Sequence, residues 1–109
     1  MNFRMETDAL FKTLADGTRR SLFERLAREG EMTVGALTDG SGVSQPAVSQ
    51  HLKALRGAGL VGETRIGRTV VYRAQPQALR PLIDWMGLYA AFWRDKFDAL
   101  EDLLNRMDQ

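Results

Sequence analysis

The stretch from Ser44 to Gly59, SQPAVSQHLKALRGAG, constrains the fold most, because both ends of a helix and its buried face are written into it. Ser44 is a good N-cap, Pro46 falls in the first turn where a missing N–H costs nothing, and Gly57 and Gly59 supply the exit. Val48, Leu52 and Leu55 recur at i, i+4 and i+7, which makes one narrow apolar stripe. Pro46, Gln50 and Lys53 project from the opposite side, flanked by Gln45, Ser49 and His51. Amide, hydroxyl, imidazole and ammonium groups address base edges and phosphates, and this face has no carboxylate to repel a polyanion. An ordinary solvated helix also has a polar outer face, so the nucleic-acid reading depends on what surrounds it.

Charge is the first such surrounding. The formal net charge of the whole chain is only +1. Residues 1–43 carry six basic and seven acidic side chains, residues 44–75 five and one, and residues 76–109 four and six. The middle segment therefore stands alone in being basic, with Lys53, Arg56, Arg65, Arg68 and Arg73 against Glu63. A local patch is what phosphate contact requires, since counterions are released where cations meet the backbone.

A chain of 109 residues is expected to form one domain, 1–109, with a core too small to bury much extra apolar surface. It has no cysteine, which excludes disulfides, thiolate metal ligands and a cysteine nucleophile. No apolar run reaches the roughly 20 residues needed to span a bilayer, and the N-terminus lacks a signal-peptide core. A cytoplasmic protein without membrane contact is expected.

Residues 7–15 place Leu10, Phe11 and Leu14 on one face of a short amphipathic helix. Asp16 is positioned to cap a second helix over 18–29, with Leu22, Phe23, Leu26 and Ala27 inward and Arg19 and Arg20 on other faces. Gly30 stops it, and Thr33 caps a short third helix through Val34, Ala36 and Leu37. A glycine-bearing turn, Gly40–Ser41–Gly42, then leads into the stretch at Ser44, so residues 33–59 have the helix-turn-helix order. From 60 to 75 the chain turns β-branched, and a two-stranded hairpin is expected with its tip at Ile66 to Thr69 and Arg65 and Arg68 beside the tip.

Pro76 opens a last segment, 76–107, that reads as helix nearly throughout, kinked at Pro81 or Gly87. Its apolar band contains both tryptophans and is wider than a chain this small can cover, so part of it asks for a second copy. A cavity between two such helices would suit a small apolar effector.

The segments FKTLADGTRRSLFERLAREGEMTVGAL, SQPAVSQHLKALRGAGLV and TRIGRTVVYR together resemble the ArsR-type winged-helix repressors, over nearly the whole chain. The resemblance implies a mainly α fold with a small β-hairpin: a winged helix-turn-helix, dimeric through its N- and C-terminal helices. It implies a homodimer on an inverted-repeat operator in double-stranded DNA, repressing by occupying a promoter. Ser44, Gln45, Pro46, Ser49, Gln50, His51 and Lys53 on the recognition helix, with Arg65 and Arg68 on the wing, are then the expected DNA contacts. Leu10, Phe11, Trp85, Tyr89, Phe92, Trp93 and Leu100 are the expected dimer seam.

Gly17 departs from the family pattern, which usually has proline there. Metal-responsive members carry cysteines where this chain has Glu31, Met32, Thr33 and Val34, or an acidic and histidine set on the last helix where Asp84 is followed by Met86, Phe97 and Leu100. Neither set is present, and His51 alone builds no site, so no metal and no cofactor is expected. No serine, histidine and carboxylate share a glycine-rich elbow, so an enzyme is not expected. The competing reading is a winged-helix module that binds protein without DNA. It calls for acidic residues on the recognition face or wing, where only Glu63 stands.

Overall fold

The computed structural model describes residues 3–108. Along the chain these form α1 (Phe3–Leu14), α2 (Gly17–Glu29), β1 (Met32–Thr33), α3 (Val34–Thr38), α4 (Gln45–Gly57), β2 (Val61–Ile66) and β3 (Thr69–Ala74), then a 3-10 turn (Pro76–Leu79), α5 (Arg80–Gly87) and α6 (Ala90–Met107). The fold is the expected winged helix-turn-helix: mostly helical, with a small antiparallel sheet.

Local chemistry explains the boundaries. Asp16, Thr33 and Ser44 each sit in extended backbone and accept a hydrogen bond from the N–H three residues on, capping α2, α3 and α4. The exit from α4 belongs to Gly59 rather than to the expected pair of glycines. Its φ of 79° closes a Schellman motif in which the Leu60 N–H donates to Leu55 O at 2.9 Å and the Gly59 N–H to Arg56 O at 3.0 Å. Gly57 lies inside the helix.

β2 and β3 pair antiparallel in the expected register, with Ile66 opposite Thr69 and Gly67 at φ 64° leading the two-residue tip. A third strand was not expected. β1 pairs with β3, Met32 opposite Tyr72 and Thr33 opposite Val71, which gives the order β1-β3-β2 and ties the wing back to the start of α3. Two residues are too few to show a period of two.

The core gathers Leu10 from α1, Leu22, Phe23 and Leu26 from α2, Leu37 from α3, Val48, Leu52 and Leu55 from α4, and Leu60 and Val61 at the root of the wing. Ala27 is exposed, contrary to expectation, because it lies about 120° round the helix from the midpoint of Leu22 and Leu26, past Phe23 at the edge of the stripe. The first helix starts at Phe3, earlier than residue 7. The last segment is broken where Gly87 stands, and the chain resumes helix at Ala90. No helix among the described residues is long and apolar enough to cross a membrane.

The phase of α4 gives a direct test. Leu52→Ala removes a side chain that is 1% exposed and is expected to cost about 2–5 kcal/mol in urea unfolding. Gln50→Ala, on the outer face, is expected to stay within roughly 0.5 kcal/mol of the parent. Similar losses for both would mean that the helix is rotated from the phase described.

Candidate nucleic-acid interface

α4 is held against the body by its stripe, and this commits the remaining side chains to solvent. Ser44, Gln45, Pro46, Ser49, Gln50 and Lys53 are all exposed. Ser44 has a second duty, since its Oγ accepts the Ala47 N–H at 3.3 Å. The hydroxyl proton remains for an outside acceptor such as a phosphate oxygen.

The turn before α4 is fixed from below by a residue that sequence reasoning missed. Arg25 of α2 donates through Nη1 to Leu37 O at 3.1 Å and to Asp39 O at 2.8 Å, while its Nε pairs with Glu29 at 3.0 Å. These bonds satisfy carbonyls at the end of α3, where a five-residue helix leaves several unpaired. A charged side chain on the flank of α2 carries no sequence signal for such a role.

His51 departs from the expected outer face. It is half-buried toward α2, and its Nδ1 accepts a hydrogen bond from Arg19 Nε at 3.4 Å. Counting round α4, His51 precedes Leu55 by four and follows Val48 by three, which puts it on the border of the stripe. Arg19 donates its backbone N–H to Asp16 Oδ1 at 2.9 Å. That bond, followed by the nearby Arg19 charge, holds the Asp16 carboxyl below its ordinary value.

The basic patch divides into engaged and unengaged cations. Arg56 pairs with Glu63 at 3.2 Å, and Arg73 donates to Thr64 Oγ1 at 2.8 Å. Burial, and then the Glu63 carboxylate beside it, push the Tyr72 hydroxyl above its ordinary range, so it stays protonated. The patch's one carboxylate is thus taken up inside the wing. Lys53, Arg65 and Arg68 are exposed and enter no ion pair among the described residues. One helix face and one hairpin therefore present amides, hydroxyls and three free cations to solvent without an opposing carboxylate.

The residues expected at a dimer seam separate in the same way. Leu10 is 3% exposed and belongs to the chain's own core, so it offers no surface to a partner. This corrects the expectation: the inner face of α1 is used up on α2 and α5. Phe11, Trp85, Tyr89, Phe92, Trp93 and Leu100 remain between 38% and 54% exposed. Phe11 meets Trp85 edge-on at 5.4 Å and Trp85 meets Tyr89 at 5.4 Å, making one continuous aromatic surface across α1 and α5. Among the described residues no three His, Cys, Asp or Glu side chains come together as a metal site would require.

These features define a winged helix-turn-helix DNA-binding protein, and comparison with known proteins narrows the class. A helix-turn-helix domain family matches residues 14–63. The HTH-type transcriptional regulator Rv2034 of Mycobacterium tuberculosis is 48% identical over 75 residues, covering 69% of this chain and 69% of its own. An ArsR-like transcriptional regulator from Rhodococcus sp. RHA1 superposes with a TM-score of 0.72 at 28% identity, covering 92% of this chain and 93% of that one. A homodimeric winged helix-turn-helix DNA-binding domain from Mycobacterium bovis gives 0.63 at 30% identity, covering 79% of each chain. The chain belongs to the ArsR family of DNA-binding transcriptional regulators, a class without enzymatic activity.

The Asp16 cap makes stability depend on pH with a definite sign. Its folded carboxyl titrates below the ordinary value, so the stabilisation is present above the unfolded value and lost as pH falls through the folded one. Asp16→Asn keeps a capping oxygen and removes the titration. Its urea midpoint is expected to fall less than the parent's between about pH 6 and about pH 3; equal slopes would discount the cap's charge.

Proposed function

We propose that the chain is a cytoplasmic, homodimeric repressor that reads an inverted-repeat operator with α4 and grips the flanking backbone with its wing. The observation that carries this reading is the pairing of a carboxylate-free α4 face with unpaired Lys53, Arg65 and Arg68 beside it. Ser44, Gln45, Pro46, Ser49, Gln50 and Lys53 form the reading face, and Arg65 and Arg68 reach phosphate or the minor groove. His51 acts from the body side. Residues 1–109 work as one domain: α1 and 76–107 for dimerisation, 33–59 for reading and 60–75 as the wing. A protein bound over a promoter excludes polymerase, which makes repression the natural outcome of tight occupancy.

Dimerisation follows from the surface left uncovered. Trp93, Phe97, Leu100, Leu104 and Met107 recur at alternating steps of four and three along α6 and are all exposed, the spacing with which one helix packs on another. The homodimeric relative from M. bovis supports a second copy as the cover. Two recognition helices one turn of DNA apart, about 34 Å, would each fill a half-site. Where such helices meet, the apolar hollow lined by Trp85, Met86, Tyr89, Phe92 and Trp93 suits a small apolar effector.

The first test is fluorescence anisotropy on the promoter upstream of the chain's own gene and on scrambled DNA, across a salt series. Preference for the promoter of about a thousandfold, with affinity falling steeply in salt, is expected. A folded dimer that binds neither duplex would favour the protein-binding reading.

Gln50→Ala is expected to relax sequence preference, whereas Arg68→Ala weakens all duplexes evenly and lowers the salt slope by about one. Equal loss of preference in both variants would remove this division of labour. Trp93→Glu is expected to give monomers in sedimentation and to lose tight operator binding; a dimer of unchanged affinity would place the seam elsewhere.

A further inference from the structure

The apolar stripe sets how deeply α4 sits, but it fixes roll only weakly, because leucine and valine contacts have no direction. Directional bonds lie at the two borders of the stripe. On the wing side Arg56 pairs with Glu63 at 3.2 Å. On the other side His51 Nδ1 accepts from Arg19 Nε at 3.4 Å, in a half-buried setting. On a wheel of 100° per residue, His51 and Arg56 stand on opposite flanks of Val48, Leu52 and Leu55.

Arg19 does more than meet His51. Its Nη1 donates to Thr13 O at 3.3 Å, near the end of α1, and its own N–H is held by Asp16 at 2.9 Å. A planar guanidinium bonded along two edges has a fixed orientation, which a flexible ammonium would not have. One side chain on α2 thus spans from the last turn of α1 to the recognition helix.

We propose that Arg19 is a positioning residue for DNA reading: through His51 it sets the roll of α4, and through the Thr13 carbonyl it ties that roll to α1. The proposal rests on α4 being the reading helix. A roll of about 10° moves a side-chain tip roughly 6 Å from the axis by about 1 Å, enough to spoil a hydrogen bond to a base edge. Non-specific phosphate attraction tolerates such a shift, so the effect falls on specificity.

The test compares Arg19→Met, His51→Leu, the double variant and His51→Asn on operator and scrambled duplexes in a salt series. Arg19→Met and His51→Leu should each lower operator affinity by about tenfold, the worth of one base contact. Scrambled-duplex affinity and the salt slope should stay as in the parent. The double variant should be no worse than either single one, since both remove the same bond. His51→Asn, which places Oδ1 where Nδ1 stands, should recover most of the loss and needs no change on α2.

Equal losses on both duplexes with a slope lower by about one would make Arg19 a phosphate contact and overturn the proposal. Additive losses, or His51→Asn no better than His51→Leu, would overturn it too. A parent protein without operator preference would overturn the reading role of α4 itself, an outcome visible before any substitution is made.

Discussion

The burial of Val48, Leu52 and Leu55 against Leu26, Leu37 and Leu60 is the contact on which everything else depends. All six are at most 2% exposed, so they hold the helix against sliding and against a half-turn that would bring its outer face inward, and leave only a few degrees of roll to the bonds at its borders. The period of 3.6 residues then acts as a lever. Once three positions are fixed inside, Gln50, Lys53 and Ser49 must be outside, and no property of those residues is needed to put them there. What DNA would meet is decided by what the core takes. The role of polar groups is finer: they hold the ends of α4 through Ser44 and the Gly59 exit, and its borders through His51 and Arg56.

Electrostatics follows a similar division. A cation already paired with a carboxylate gains little from a phosphate, because the pair must be broken first. Arg56 is spent on Glu63, which ties the end of α4 to the wing, whereas Arg73 keeps its charge and donates to the Thr64 hydroxyl within the wing. Among the described residues, Lys53 on the outer face and Arg65 and Arg68 at the tip are exposed and enter no ion pair. Net charge conceals this arrangement entirely, since every acidic residue but Glu63 lies outside residues 44–75.

Features governed by neighbouring residues were legible in the sequence. The caps at Asp16, Thr33 and Ser44, the hairpin tip at Gly67 and Arg68, and the break at Gly87 all depend on backbone chemistry within a few positions. The misreadings concern borders and long-range pairing. Ala27 and His51 both sit at the edge of an apolar stripe, where a hydrophobicity count cannot tell in from out and only the packed partner decides. Leu10 was assigned to a partner chain although its own core claimed it. β1 exists because β3 supplies its hydrogen bonds, and Met32 and Thr33 carry no strand pattern of their own. Arg25 and Arg19 act across 12 to 32 residues of sequence, at a range where a single sequence gives no signal.

The C-terminal half poses the opposite problem, an apolar surface with nothing of its own to cover it. Phe11, Trp85 and Tyr89 stack edge to face into a surface that starts on α1 and runs along α5 toward α6. Ring-on-ring contact within one chain fixes the shape of that surface without burying it. In the homodimer proposed here, α1 therefore belongs to two assemblies: its inner face packs on the reading domain and its outer face contributes to the seam. The Thr13 carbonyl near its end is the point at which Arg19 joins it to α4. The separation of two recognition helices would then be set by a path of packed elements, α5 on α1, α1 on α2 and α2 on α4. A change in how the aromatic surfaces meet would displace both reading faces together, and operator spacing would be fixed at the seam, far from any base that the protein touches.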